Sequence, residues 1–231
     1  MYDIQYNGIT GASLGLLLYD YPEFSGAGKS YNTFPIIGGR GELVGNDDYI
    51  SNLIISCTFS IKSEAFSQKI RQIKKWLSGT GELTLSDSPD TYYQVLKIDY
   101  DSIEREIEHF GTFAAKFTCT PYEFLRTGKT AIEPDANGIV RNPGDVSRPI
   151  YLISGNGDCT LTVNGNSMRA VVTDNLTIDT EKMLSYRTDG TMQNTAVTGD
   201  YEQLFLLEGT NNVKTTKGFS LKIIPKWGYE A

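Results

Sequence analysis

"RNPGDVSRPIYLISGNGDCTLTVNG", residues 141–165, reads as a beginning although it lies past the middle of a 231-residue chain. Its opening is turn chemistry: Pro presets one backbone angle, and Gly and Asn accept the positive φ that tight turns require. The residues that follow alternate apolar and polar in short runs, the two-residue period of half-buried strands. The chain therefore restarts here, as the first strands of a second domain. Onward from this point "CTLTVNGNSMRAVV" (159–172) predicts a hairpin turning at Asn164, Gly165 and Asn166. "NLTIDT" (175–180), "YEQLFLLEG" (201–209) and "GFSLKIIPKW" (218–227) complete a strand-only series with the spacing of a β-sandwich.

Upstream, "TGKTAIEPDANGIVRNPGD" (127–145) has two prolines, three glycines and no sustained apolar period, which reads as a linker. The expected organisation is an N-terminal domain over 1–130, a linker over 131–145 and a C-terminal domain over 146–231. Within the first domain "LIISCTFSI" (53–61) sets Leu53, Ile55, Cys57, Phe59 and Ile61 on one strand face. The period then changes. Phe66, Ile70, Ile73 and Leu77 share one face of a helix predicted over about 63–78, with Ser63 as its cap and Gly79 just past its end. "YYQVLKIDYDSI" (92–103) and "GTFAAKFTCTPYEF" (111–124) are further strands, and Pro121 should end the pairing of the latter. The protein is predicted to be mainly β, an N-terminal β-sandwich-like domain with one α-helix followed by a C-terminal β-sandwich.

Lys plus Arg number 21 against 28 Asp plus Glu, for a net charge of -7. That balance argues against a nucleic-acid ligand, whose phosphates are gripped by cations. The apolar runs are too short to cross a bilayer, and the N-terminus lacks the layout of a signal peptide. Cys57, Cys119 and Cys159 each sit in an alternating apolar pattern and read as core residues in a reducing compartment.

Motif chemistry is thin. "SGAGKS" (25–30) looks like the end of a phosphate loop, but Glu23 stands where the first glycine belongs. His109 is the single histidine; with Glu106 and Glu108 it has no zinc-ligand spacing. No G-x-S-x-G elbow is present. Asp87 and Asp90 flank a proline and suit a turn better than a glycosidase pair. Trp76 and Trp227 read as packing residues. No catalytic, cofactor or metal site is expected, and no enzyme activity. Glu104, Glu106 and Glu108 form an acidic stripe of period two.

The pattern of the whole chain is more telling. "GGRGELVGNDDY" (38–49), "KKWLSGTGELTLSDSPDTYYQV" (74–95), "FAAKFTCTPYEF" (113–124), the 141–165 stretch, "LTIDTEKMLSYR" (176–187) and "LLEGTNNVKTTKGFSLKIIPKW" (206–227) together resemble the distal tail proteins of phages with long non-contractile tails, chiefly those infecting Gram-positive bacteria. The resemblance implies a homo-hexameric hub ring that joins the tail tube to the tip or baseplate and lets DNA pass. It also implies that the C-terminal sandwich is a galectin-like jelly roll. Expected partners are the tail tube protein, a tail-associated lysin or tip/spike protein, and receptor-binding or baseplate proteins. The expected location is the distal end of the tail in the virion, after synthesis in the host bacterial cytoplasm. By this analogy Gly39, Arg40, Gly41, Glu104, Glu106 and Glu108 are candidate ring and tube contacts. Glu208 departs from the pattern, standing where a proline is expected, and large inserted carbohydrate-binding modules are lacking. The alternative function is a carbohydrate-binding module contacting host cell-wall glycans through the C-terminal sandwich, with Asn164, Asn166, Tyr186 and Arg187 as candidate contacts.

Overall fold

A computed structural model describes the backbone of residues 2–102, 104–107 and 110–231, and the side chains of all these except 29–31, 46–49 and 104–107. The chain forms two compact units, Met1–Glu123 with Glu230–Ala231, and Phe124–Tyr229.

The first unit contains β1 (Ile4–Tyr6), β2 (Ile9–Thr10), β3 (Leu16–Leu18), β4 (Glu23–Gly26), β5 (Lys29–Pro35), β6 (Glu42–Ile50), β7 (Leu53–Lys62), α1 (Phe66–Trp76), β8 (Gly81–Leu85), β9 (Thr91–Tyr100), β10 (Glu104–Ile107) and β11 (Phe110–Leu125). The main sheet runs β2-β1-β8-β9-β11-β7-β3, with β4 also on β7 and β10 on β11. The alternation read at 53–61 is realised: Leu53, Ile55, Cys57, Phe59 and Ile61 are buried, and Cys57, Phe59 and Ile61 lie across β11 from Ala115, Phe113 and Gly111. Against this face α1 lays Phe66, Ile73 and Trp76. Trp76 meets Tyr6 and Phe59 edge-on, and its indole N–H donates to the Tyr6 carbonyl at 3.3 Å, so its one polar atom is satisfied in the core.

Two local expectations are corrected. The helix starts at Phe66, and Ala65 occupies its cap position with no side-chain cap bond, because β7 holds the chain extended through Lys62 and residues 63–65 are used in turning. Gly79 does take a positive φ of 84° beyond the helix end. Pairing of β11 with β7 reaches only Cys119, but the strand itself continues through Pro121 to Leu125, because β9 and the last strand pair with it.

The second unit contains β12 (Ile139–Asn142), β13 (Ile150–Val163), β14 (Asn166–Asp179), β15 (Leu184–Tyr186), β16 (Val197–Thr198), β17 (Gly209–Thr215), β18 (Ser220–Ile224) and β19 (Gly228–Glu230), the last of which pairs with β11. Its centre is the β13–β14 ribbon, paired without interruption from Ile150↔Asp179 to Val163↔Asn166. The two turn residues, Asn164 and Gly165, have φ of 51° and 92°, which a primed turn requires. The two ends of the ribbon take different partners: β18 pairs β13 at 150–154 and β17 pairs it at 161–163. The ribbon thereby serves both layers, as strands that switch sheets do. Between these ends lie Gly155 and Gly157, both at positive φ. Tyr151, Ile153, Leu161, Val163, Met168 and Ile178 fill the core.

The expected linker over 131–145 is part of this second unit. Ile132 exchanges two backbone bonds with Ile223, each 2.8 Å, and Ile139–Asn142 pairs along β17. Its Pro and Gly mark turns between pairings whose partners lie far away in sequence, so local composition misread it. The chain crosses into the second unit at Phe124, ahead of the expected boundary at 130.

Candidate assembly surface

Among the described residues, the strands β5 and β6 form a two-stranded sheet of their own, paired with no other strand. Their register sets Phe34 directly across from Leu43 and Thr33 across from Val44, so both faces of the ribbon carry an apolar residue. Phe34 is 58%, Leu43 63% and Val44 63% exposed, and Ile37 at the tip is fully so. Gly39 closes the tip by donating to the Ile36 carbonyl at 3.1 Å, with Gly38 and Gly41 at positive φ. Gly39, Arg40 and Gly41 therefore stand at the end of an arm of about 20 Å, at about 3.3 Å per residue. The residues that give this arm its character are the flanking Phe34, Ile37, Leu43 and Val44. Sequence reading passed over them; the signal was a strand pair with apolar residues of both parities.

The segment leading into the arm is also rich in exposed apolar residues. Leu17, Tyr19, Tyr21 and Phe24 are all exposed, Tyr21 packing edge-on against Tyr2 with ring centres 4.9 Å apart. Of the 18 exposed large hydrophobic residues described, nine fall between positions 17 and 44.

The acidic stripe is placed only in part. Glu104 and Glu106 belong to β10, where the register shifts between Arg105 and Ile107, and their side chains lie outside the described residues. Glu108 and His109 lie outside the described residues altogether.

The four glycan candidates do not converge. Asn164 is spent inside the fold: its amide donates to Asn211 Oδ1 at 2.8 Å and its Oδ1 accepts from the Asn212 N–H at 2.9 Å. Asn166 donates to the Gln203 carbonyl at 3.3 Å. Tyr186 sits across from Thr177, at the end of β14 opposite to Asn166, and Arg187 follows it in a turn closed to the Thr191 carbonyl. Roughly 35 Å of extended strand separates the two pairs along the ribbon, at about 3.3 Å per residue.

Reactive groups are held in structural roles. "SGAGKS" passes from β4 into β5 with no helix following, and Gly28 exchanges bonds with Ser51. Asp87 accepts the Tyr2 hydroxyl at 3.1 Å, and the following turn, through Pro89 and Asp90, is closed by the Thr91 N–H donating to the Ser88 carbonyl at 3.2 Å. Burial pushes the Cys57 and Cys119 thiols up to about 12, so neither is a thiolate near neutrality. Among the described residues no group of three or more His, Cys, Asp or Glu converges as metal ligands. Trp227 is packed as expected, its N–H donating to Thr127 Oγ1 at 3.1 Å.

No protein-family model matches the chain. No curated protein matches it either. Among solved structures it is similar to the Dit protein (gp 19.1) of SPP1, described as a paradigm of the hub adsorption apparatus in phages infecting Gram-positive bacteria. The TM-score is 0.72 at 15% identity, over 96% of this chain and 98% of that one, so the two share one fold from end to end.

Proposed function

We propose that this chain is a structural subunit of a phage tail, one of six that close into a hub ring at the distal end and join the tail tube to the tip or baseplate. The observation that carries the reading is the β5–β6 arm. A two-stranded ribbon is marginal in water by itself, and one with apolar residues on both faces gains stability when something covers it. An identical neighbour supplies that cover in a contact that repeats around a closed ring. The fold shared with a hub protein supports the same role, and the role is structural rather than catalytic. Gly39, Arg40 and Gly41, at the arm tip, are then ring contacts. Glu104, Glu106 and Glu108 supply negative charge that keeps DNA from adhering as it passes through the channel. The tail tube protein, a lysin or spike, and receptor-binding or baseplate proteins are the partners above and below. No comparable observation favours the glycan reading, because its four residues do not meet. The test is the native mass of the purified chain with electron micrographs of the same sample. A ring of about six subunits with a central hole is the expected result; a strict monomer at every concentration overturns the reading.

A further inference from the structure

The solvent face of α1 is cationic without relief. Its sequence, FSQKIRQIKKW, contains no Asp or Glu. At 3.6 residues per turn Arg71, Lys74 and Lys75 fall within about 100° of arc, away from the buried Phe66, Ile73 and Trp76. All three are exposed, and among the described residues no ion pair joins any of them to a carboxylate. The helix C-terminus favours Lys74 and Lys75. Arg71, however, precedes them by three and four residues, the spacing at which like charges repel along a helix. An ordinary solvated helix face relieves this with an acid at one of those positions. The rest of the molecule is the reverse: residues 62–75 carry five cations against Glu64, a net of +4, which leaves -11 on the remainder of a chain whose total is -7.

We propose that the face formed by Arg71, Lys74 and Lys75 is one half of a head-to-tail contact between copies of this chain, its other half being an acidic surface of the next copy. The inference rests on the ring reading but uses a different surface from the apolar arm. A second copy fits better than DNA. A duplex held by three cations would meet the repulsion of the remaining acidic molecule, whereas a heterologous contact sets this basic face of each subunit on an acidic surface of its neighbour. The arm would supply apolar burial, and the helix would supply orientation and the rate of encounter.

Sedimentation velocity in about 50 and 500 mM NaCl tests this with the wild type, with R71E/K74E/K75E and with the arm variant I37D. Wild-type assembly is expected to weaken with salt. The charge-reversed variant is expected to assemble at least tenfold more weakly at low salt and to lose the salt dependence. R71Q separates assembly from folding: it removes the repulsion along the helix and leaves Lys74 and Lys75 at the helix C-terminus, so its thermal stability should equal or exceed that of the wild type while its assembly is weaker. Assembly of R71E/K74E/K75E at wild-type strength overturns the proposal. So does binding of a short DNA duplex at about 150 mM salt that the variant loses, which would make the face a nucleic-acid site. If I37D assembles normally while R71E/K74E/K75E does not, the arm reading falls and this one stands; a wild type that stays monomeric at both salts overturns both.

Discussion

Gly155 shows how much a single position can depend on the tertiary fold. Its φ is +151°, and a Cβ placed there would stand 2.4 Å from Cδ1 of Phe219, a ring packed against the second core. Gly155→Ala is expected to destabilise the protein by about 1–3 kcal/mol, read as a lower urea midpoint with an unchanged slope. The sequence could not show this, because Phe219 lies 64 positions away and the approach exists only once the ribbon bends; Asn164-Gly165 was legible because its constraint is local. The cysteines were legible for the same reason, since their alternation fixes their face. All three are buried, so a thiol reagent at pH 8 should leave the folded protein unmodified and label three thiols in urea. Cys57 and Cys119 rise from an ordinary 9.0 to about 12, so the folded state holds these protons more tightly than the unfolded one. Stability is therefore full below about pH 9 and declines as pH climbs towards 12, visible as an alkaline fall in the melting temperature.

At the scale of elements, the strand alternation at 53–61 and 111–119 and the helix face at 66–77 were legible because each buries one face against a continuous core. The segment 131–145 was not. Its partners Ile223 and β17 are some 70 to 90 positions downstream, and neither periodicity nor composition carries information over that distance. Of the candidate surface only the tip residues Gly39, Arg40 and Gly41 were named from the sequence, and those through the family resemblance rather than through any local pattern, while the arm's exposed apolar residues gave no motif. Among the described residues the arm makes no strand pairing with the rest of the fold, so its apolar residues can be changed without opening the core. Phe34→Ser with Ile37→Asp is expected to shift the melting temperature by less than about 3 °C, as surface substitutions do, and to abolish assembly. Unchanged assembly would place the self-association surface elsewhere.

For the whole molecule, each unit owns its core. The first is built from residues between Ile4 and Phe117 with Cys119, the second from residues between Val140 and Trp227. The chain nevertheless returns at its end, where Glu230–Ala231 rejoin the first unit and the Ala231 N–H donates to the Pro121 carbonyl at 3.3 Å. A chain ending at Glu123 keeps the first core, the β5–β6 arm and the basic face of α1, but loses that closing strand along β11. It is expected to fold cooperatively, to melt about 5 °C lower for roughly 1 kcal/mol lost, and still to assemble, because the arm and the basic face of α1 both lie before residue 76 and residues 1–123 outside 62–75 carry 15 Asp and Glu against 5 Lys and Arg. Calorimetry and sedimentation of the truncated chain check the two halves of this expectation separately. A folded but monomeric product would show that the second unit, Phe124–Tyr229, carries the contacts between subunits; an unfolded one would show that the returning strand, rather than the first core alone, makes that unit stable.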